Sequence, residues 1–488
     1  MKRCSDVFWP AAALAGILTG CLSAPKPADT MTPWAPPPQA RRPDKVWSGV
    51  RGQPVDLAKP LALAELADMA MRNNPATSKA WNDALAAAAM VDQAQGYFLP
   101  ALTATLGGDR RGLSAEPDSY DMGYLRYGPG LQVHYLILNL GGGRQAAVEQ
   151  AMQTVYAADF AFNRSIQDVL LAVETAYYGL VSAQAGVESA EANVKDAKTV
   201  MEAARQRLAS DVGTELDVLQ SQASYDQSLY NLAGAQGLLK TARGRLAQAL
   251  GLPADSAIQV APPARDVPDA PAPRDMQRLI DDSLDRRPDI AALRATVAAR
   301  EASVKVVGSS RWPSLYLTGD LSHDTYDIMA GNQFPDRDWS YGVGLSLQWL
   351  LFDGFQTLSA KHAAAAQAES AKSQLRQAEL AASADVWTRY HDYETAIEKV
   401  RFSAAYLKSA SAAHDLALDS YKAGLKSILD LLDAESRLAQ ARSQSITAKQ
   451  EAFTAMAGLA YATGLLEKSG SAQTQDLFSI SAGKDYQP

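Results

Sequence analysis

The 488-residue sequence predicts a mainly α-helical fold that also carries membrane β-structure: a duplicated unit giving four barrel strands and long coiled-coil hairpins per chain. Three observations predict this class. Short landmarks recur in one order at a spacing of about 213 residues. Segments with two-residue alternation of apolar and polar side chains come in pairs, one pair in each copy. Two windows free of internal proline, Pro129 to Pro253 and Pro335 to Pro488, hold heptad patterns far longer than an ordinary globular helix.

The elements follow in chain order. Lys2 and Arg3 precede an apolar run from Val7 to Leu18, interrupted by Pro10 and too short to span a bilayer. The run ends in Leu18-Thr19-Gly20-Cys21, which resembles a bacterial lipoprotein cleavage box. That resemblance implies removal of residues 1–20 and acylation of Cys21. Leu22, where an Asp would mark retention at the inner membrane, implies sorting to the outer one. An ordinary secretory signal with an incidental cysteine is the competing reading. Cys4 would leave with the signal in either case. Residues 21–60, with Pro36-Pro37-Pro38 at their centre, read as an extended tether.

Two copies of one unit follow, at 61–251 and 275–465, joined by a proline-rich stretch at 252–274 and ending in a polar tail at 466–488. Asn74-Pro75 recurs as Arg287-Pro288, Leu99-Pro100 as Trp312-Pro313, and Leu216-Asp217-Val218-Leu219 as Leu429-Asp430-Leu431-Leu432. Tyr127-Gly128 recurs as Tyr341-Gly342 with one residue of slippage. Each copy reads as helix, strand, strand, very long helix, reversal, helix. The first opening helix is expected from about Leu61 to Tyr97.

In the strands, Leu102, Ala104 and Leu106 alternate with Thr103 and Thr105, and Leu131, Val133, Tyr135 and Ile137 with Gly130, Gln132 and His134. The second copy places Leu315 and Leu317 on one face, then Val343, Leu345, Leu347 and Trp349 opposite Gly344, Ser346 and Gln348. A soluble sheet packed on one side shares this pattern; the outer-membrane sorting signal favours a lipid-facing one. Polar stretches from Gly108 to Tyr124 and from Ser322 to Ser340 suit exposed loops.

The long helices carry a seam of Phe162, Ile166, Val169, Val173, Ala176, Leu180 and onward to Leu208 in the first copy. Val386, Tyr393, Val400, Leu407, His414 and Tyr421 form it in the second, with Ala396, Ser403, Ala410 and Ala417 between them. Each helix would be roughly 90–100 Å long at 1.5 Å per residue, a length suited to a conduit. The helices are expected to reverse at glycine, over Ser210–Thr214 and Lys422–Lys426, followed by helices over Glu215–Ala249 and Ser427–Thr463.

The net charge of −8 leaves no basic surplus to neutralise phosphates, which argues against nucleic acid as a partner. Beyond the N-terminus no run reaches the ~20 apolar residues of a spanning helix, so a bilayer crossing has to use strands. Four strands cannot close a membrane barrel, and open edges are not tolerated in lipid. Several chains must therefore share one wall.

The repeat, the strand pairs, the hairpins, the run from Tyr421 through Gly424 to Leu429-Asp430 and Asp433-Ala434-Glu435, the junction Leu351-Phe352-Asp353-Gly354, and Arg286-Arg287-Pro288-Asp289-Ile290 together resemble TolC-type outer-membrane factors. The resemblance covers about residues 55 to 465, and the lipidated N-terminus is similar to the lipoprotein branch. It implies a homotrimer with a twelve-stranded β-barrel continuing into a periplasmic α-helical tunnel. It also implies a periplasmic adaptor and an inner-membrane transporter, of the RND type first, as partners, in contact with outer-membrane lipid and without a cofactor beyond the lipid on Cys21.

The same resemblance assigns candidate sites. Asp430 and Asp433 lie at i and i+3 on one helix face. In a trimer they would ring the periplasmic aperture, repel, bind cations and raise each other's pKa, with Asp217 as the first-copy counterpart. The competing reading is a solvated helix start, where acids are favourable anyway. Tyr421 and Lys426 match positions that hold the aperture shut, with Asp211, Thr214 and Glu215 as candidate partners. Val212, Gly213, Gly424 and Leu425 would form the adaptor-docking tips. His414 reads as a packed or pore-facing helix residue, with a pH sensor as the alternative.

No catalytic constellation is visible. His134, His323, His362, His391 and His414 lack zinc-ligand spacing, and Gly141-Gly142-Gly143 reads as a tight strand-to-helix turn rather than a phosphate loop. A periplasmic adaptor, bridging pump and channel with one coiled-coil hairpin and separate β domains, is the alternative function. The duplicated strand pairs argue against it.

Overall fold

The computed structural model of the protein describes residues 59–114, 121–264, 266–268, 275–328 and 337–466. The expected signal peptide with Cys21, the expected tether up to residue 58 and the tail from residue 467 lie outside the described residues.

The first copy contains α1 (Leu63–Asn73), α2 (Pro75–Gly96), β1 (Ala101–Ser114), β2 (Asp121–Asn139), α3 (Gly143–Ala209) and α4 (Glu215–Ala249). The second contains α5 (Met276–Arg286), α6 (Pro288–Ser309), β3 (Ser314–Ile328), β4 (Arg337–Gln348), α7 (Gln356–Lys422) and α8 (Ile428–Ala462). Corresponding helices match in length, at 11, 22, 67 and 35 residues. The duplication therefore extends to the caps. Thr214 and Ser427, 213 residues apart, each close a capping box with the Asp three positions on.

The single opening helix expected over Leu61 to Tyr97 is two helices. Pro75 has no N–H to continue the ladder, and it disfavours the α conformation at Asn74, whose ψ is 125°. Arg287 before Pro288 is extended in the same way, with ψ 121°. Both strand pairs also run further into the polar stretches than alternation suggested, because backbone pairing continues past the point where the apolar pattern stops.

The chain packs as two compact units. One comprises Asp83–Ala158 and Leu293–Leu375; the other comprises the described residues of Met31–Asn82, Asp159–Ala292 and Arg376–Pro488. The first unit is built on one antiparallel sheet in the order β1-β2-β3-β4. Between Leu136 and Leu138 the β2–β3 register shifts by one residue, leaving Ile137 in a bulge. This extra residue lies after Tyr127, and it returns the repeat spacing from 214 at Tyr127 and Tyr341 to 213 by Gly143 and Gln356. It also puts Leu138, rather than the expected Ile137, opposite Leu315.

The second unit holds two cores related by the repeat. Leu66, Val173, Tyr177, Leu180 and Leu246 pack in one, and Leu279, Val386, Tyr390, Tyr393 and Leu459 occupy the matching places in the other. The seam expected on α3 is buried over most of its length, but Leu208 is exposed and Tyr177 and Val200 are buried beside it. Asn74 donates to the Ala249 carbonyl, and Arg287 donates to its repeat equivalent, Ala462. Arg287 adds what Asn74 lacks: a buried guanidinium bound to Asp289 at 2.8 Å and Asp385 at 3.0 Å. The stretch 252–274 is more than a joiner. Leu61 exchanges backbone hydrogen bonds with Gln259 and Ala261, and Ile258 is buried in the first core.

Candidate functional site

The register of the sheet decides which side chains share a face. Leu102 pairs with Val133, Val133 with Gly319, and Gly319 with Val343; Leu131 pairs with Leu321, and Leu321 with Tyr341; Leu315 pairs with Leu347. All four apolar rows therefore coincide on one side. Thr103, Gln132, Thr318, Ser346 and Gln348 lie on the other, where Arg126 and Asp109 pair at 2.9 Å.

The apolar side is bare. Leu106 is 85% exposed, Tyr341 83% and Val343 82%, and Leu345, Leu347 and Leu102 are more than half exposed. At ~25 cal/mol per Å² of apolar area, such a face is unstable against water over this extent. Trp339 on β4 and Trp349, one residue past its end, bracket it, both exposed. Their ten-residue separation is about 34 Å along a strand, and about 25 Å once a membrane-barrel tilt of ~40° is applied. Tyr97, Trp312, Phe352 and Phe355 extend the aromatic fringe at the helix-bearing end. Among the described residues no helix is long and apolar enough to cross a membrane.

The strand-to-helix turn of the first copy is tightly packed. Gly142 takes φ +69°, and Gly143 donates to Asn139 Oδ1 at 2.9 Å. A Cβ on Gly143 would meet Ser309 Oγ at 2.1 Å, so the glycine run serves close packing. The guanidinium of Arg144 closes the bulge, donating to the carbonyls of Leu136 and Ile137.

At the opposite ends of the long helices lie the reversals. The sequence placed them over Ser210–Thr214 and Lys422–Lys426, at Gly213 and Gly424. The left-handed residues are Asp211, φ 55°, and Gly424, φ 76°. These two are 213 residues apart, and both close the same motif: Val212 N–H bonds to the Arg207 carbonyl and Leu425 N–H to the Ser420 carbonyl. Asp tolerates the left-handed region through its short polar side chain, so the first tip turns two residues before Gly213. Gly213 is needed for space, since a Cβ there would lie 2.9 Å from Leu208 N. Val212, Leu216 and Leu219 on one tip, and Leu425 and Leu429 on the other, are exposed.

The predicted aperture residues fall into local roles within one chain. Asp430 accepts from Ser427 N at 3.1 Å and from its Oγ at 2.8 Å. These bonds, with Lys426 nearby, hold its carboxyl below the usual range. Asp433 pairs with Arg437 at 2.8 Å. Asp217 caps Thr214. Lys426 is exposed.

Tyr421 is 1% exposed and packs with Val200, Ala203, Ile428 and Leu431. Its contact comes from Arg207, rather than from Asp211, Thr214 or Glu215. The Arg207 guanidinium lies over the ring at 4.8 Å and donates to the Tyr421 carbonyl at 2.5 Å and the Val212 carbonyl at 3.1 Å. One side chain thus ties both tips together. The sequence signal for it was modest: a cation in the last turn of a long helix, where it complements the helix dipole. His414 is buried and packed, its Nδ1 3.5 Å from Asp415.

A family model described as "Outer membrane efflux protein" matches residues 66–252 and 279–465, so its two blocks coincide with the two copies. The chain is 28% identical over 422 residues to Protein CyaE of Bordetella pertussis, covering 85% of this chain and 86% of that one. It is 26% identical over 399 residues to the pyoverdine export outer membrane protein OpmQ of Pseudomonas aeruginosa, covering 78% and 81%. Among solved structures, the outer-membrane channel OprN superposes with a TM-score of 0.71 at 25% identity, over 82% of this chain and 89% of that one. The Campylobacter jejuni CmeC outer membrane channel gives 0.71 at 16% identity, over 85% and 88%, a likeness of fold alone.

Proposed function

The chain belongs to the outer membrane efflux protein family, and from that premise we propose how its geometry serves an exit channel of a tripartite export system in the outer membrane. The bare apolar face of the four-stranded sheet carries the reading. A face of this height with an aromatic fringe suits lipid, and the polar face suits a water-filled lumen. Strands β1 and β4 are the ends of the sheet order, and unpaired edges are too costly in hydrocarbon. Three chains then join edge to edge into a twelve-stranded barrel, which α3, α4, α7 and α8 continue as a periplasmic tunnel.

Asp430 and Asp433 from three chains ring the aperture, where crowding opposes the local bonds that keep Asp430 ionised and biases passage toward cations. Asp217 supplies a further ring. Tyr421, clamped by Arg207, and Lys426 keep the tips together at rest. The exposed Val212 and Leu425, beside Gly213 and Gly424, meet a periplasmic adaptor that couples the channel to an inner-membrane transporter, of the RND type first. Lipid on Cys21 anchors the chain and is the sole covalent group this reading requires. The relatives' names support the channel over the adaptor alternative: OpmQ is an export outer membrane protein, and TtgC of Pseudomonas putida a toluene efflux pump outer membrane protein. The test is isolation from the outer-membrane fraction. The expected result is a heat-resistant trimer that adds pores to planar bilayers; a stable, water-soluble monomer without pores overturns the reading.

A further inference from the structure

We propose that Glu435 is a protonation-dependent latch between the two hairpins, a role that rests on the channel reading above. Glu435 lies five residues beyond Asp430 on α8 and is only 9% exposed. Its Oε1 accepts from Ser224 Oγ of α4 at 3.2 Å, which joins the hairpin of the first copy to that of the second. Its Oε2 is buried with no partner.

The surrounding charges leave it uncompensated. On α3 the group acting on it is Asp196, of like sign. The nearby cation on its own helix, Arg442, is committed to Asp196 at 2.8 Å and to Asn193 at 2.6 Å. The α4 partner, Ser224, is uncharged. Along the same stretch α7 contributes His414, beside Asp415, and Tyr421, under Arg207. Among the described residues no basic side chain pairs with Glu435.

A buried carboxyl with one weak donor is tolerable when neutral and costly when ionised. Desolvation by burial raises it to about 7 despite the Ser224 bond, with Asp196 adding to the rise. The sign follows. A carboxyl whose pKa is raised in the closed packing stabilises that packing fully below its ordinary value near 4.5, and the stabilisation is lost as pH rises toward about 7. If separation of the hairpins hydrates Glu435 fully, the open-to-closed ratio rises at most about sixty-fold per chain between pH 5 and pH 7.5.

The experiment is planar-bilayer conductance of the full-length channel and its Glu435→Gln variant from pH 5 to 8. Glutamine keeps the shape and the acceptor oxygen and cannot ionise. The latch predicts that wild-type open probability climbs across this range and that Glu435→Gln flattens the climb, staying near the acid wild-type level. Equal pH dependence in the two proteins overturns it, as does a variant that is open at every pH. Hydrogen exchange at the tip amides of both proteins gives a second readout: protection should fall with rising pH in the wild type alone. Absence of pores at any pH in the wild type would refute the channel reading instead, so the two failures are distinguishable.

Discussion

Leu345→Arg puts a guanidinium on the bare face of β4, almost midway between Trp339 and Trp349. In water the change would be nearly neutral. Leu345 is mostly exposed in the chain, and exposed substitutions away from special features usually move stability by no more than about 0.5 kcal/mol. In lipid, an arginine near the bilayer midplane on the outer face of a barrel costs about 2–4 kcal/mol. That is roughly a 30- to 700-fold shift in the folding equilibrium per chain, repeated in every chain that shares the wall. Ser346→Arg is the control, because the neighbouring residue points to the polar face, where a charge stays hydrated. The assay is equilibrium denaturation of channel folded into liposomes, followed by retention of the heat-resistant oligomer. Leu345→Arg should lose several kcal/mol and Ser346→Arg almost nothing. Equal effects, or tolerance of arginine at both positions, would refute the assignment of the apolar face to lipid.

Two further outcomes follow from the tips. Arg207→Ala removes a cation–π contact of about 0.5–2 kcal/mol and charge-assisted bonds of about 1.5–3 kcal/mol each at most; conductance should rise and the tips become protease-sensitive. Arg207→Lys should not restore the closed level, since a single ammonium does not reproduce the fork to two carbonyls. Asp430→Asn with Asp433→Asn removes charge while leaving an oxygen to cap Ser427; the folded yield should hold and cation preference should fall in reversal-potential measurements. Unchanged selectivity would count against an aperture role for these residues.

The legibility of the site followed the range of the interactions. Alternation in β1 to β4 is local, and it identified the apolar rows, on β2 as far as Tyr135. The bulge at Ile137 was invisible because a one-residue shift is defined only by the partner strand. Heptad spacing found Tyr421 and His414, since burial of a helix stripe is periodic. Arg207 and Glu435 were missed as partners, because each acts across to another hairpin and a local pattern does not show which segment lies opposite. The Asn74-Pro75 and Arg287-Pro288 landmarks were recognised as repeats, while the break they impose on the opening helix was not drawn from them.

The repeat, the strand pairs and the long hairpins were determined by the sequence alone. Each depends on periodicity, proline placement or segment length, which are properties of the chain itself. Tertiary structure decided three things: that the four apolar rows fall on one face, that Asp211 rather than Gly213 makes the first reversal, and that Arg207 and Glu435 bridge the hairpins. Register, backbone handedness and contacts between distant helices depend on which segment lies opposite which, and that is settled only when the whole chain packs.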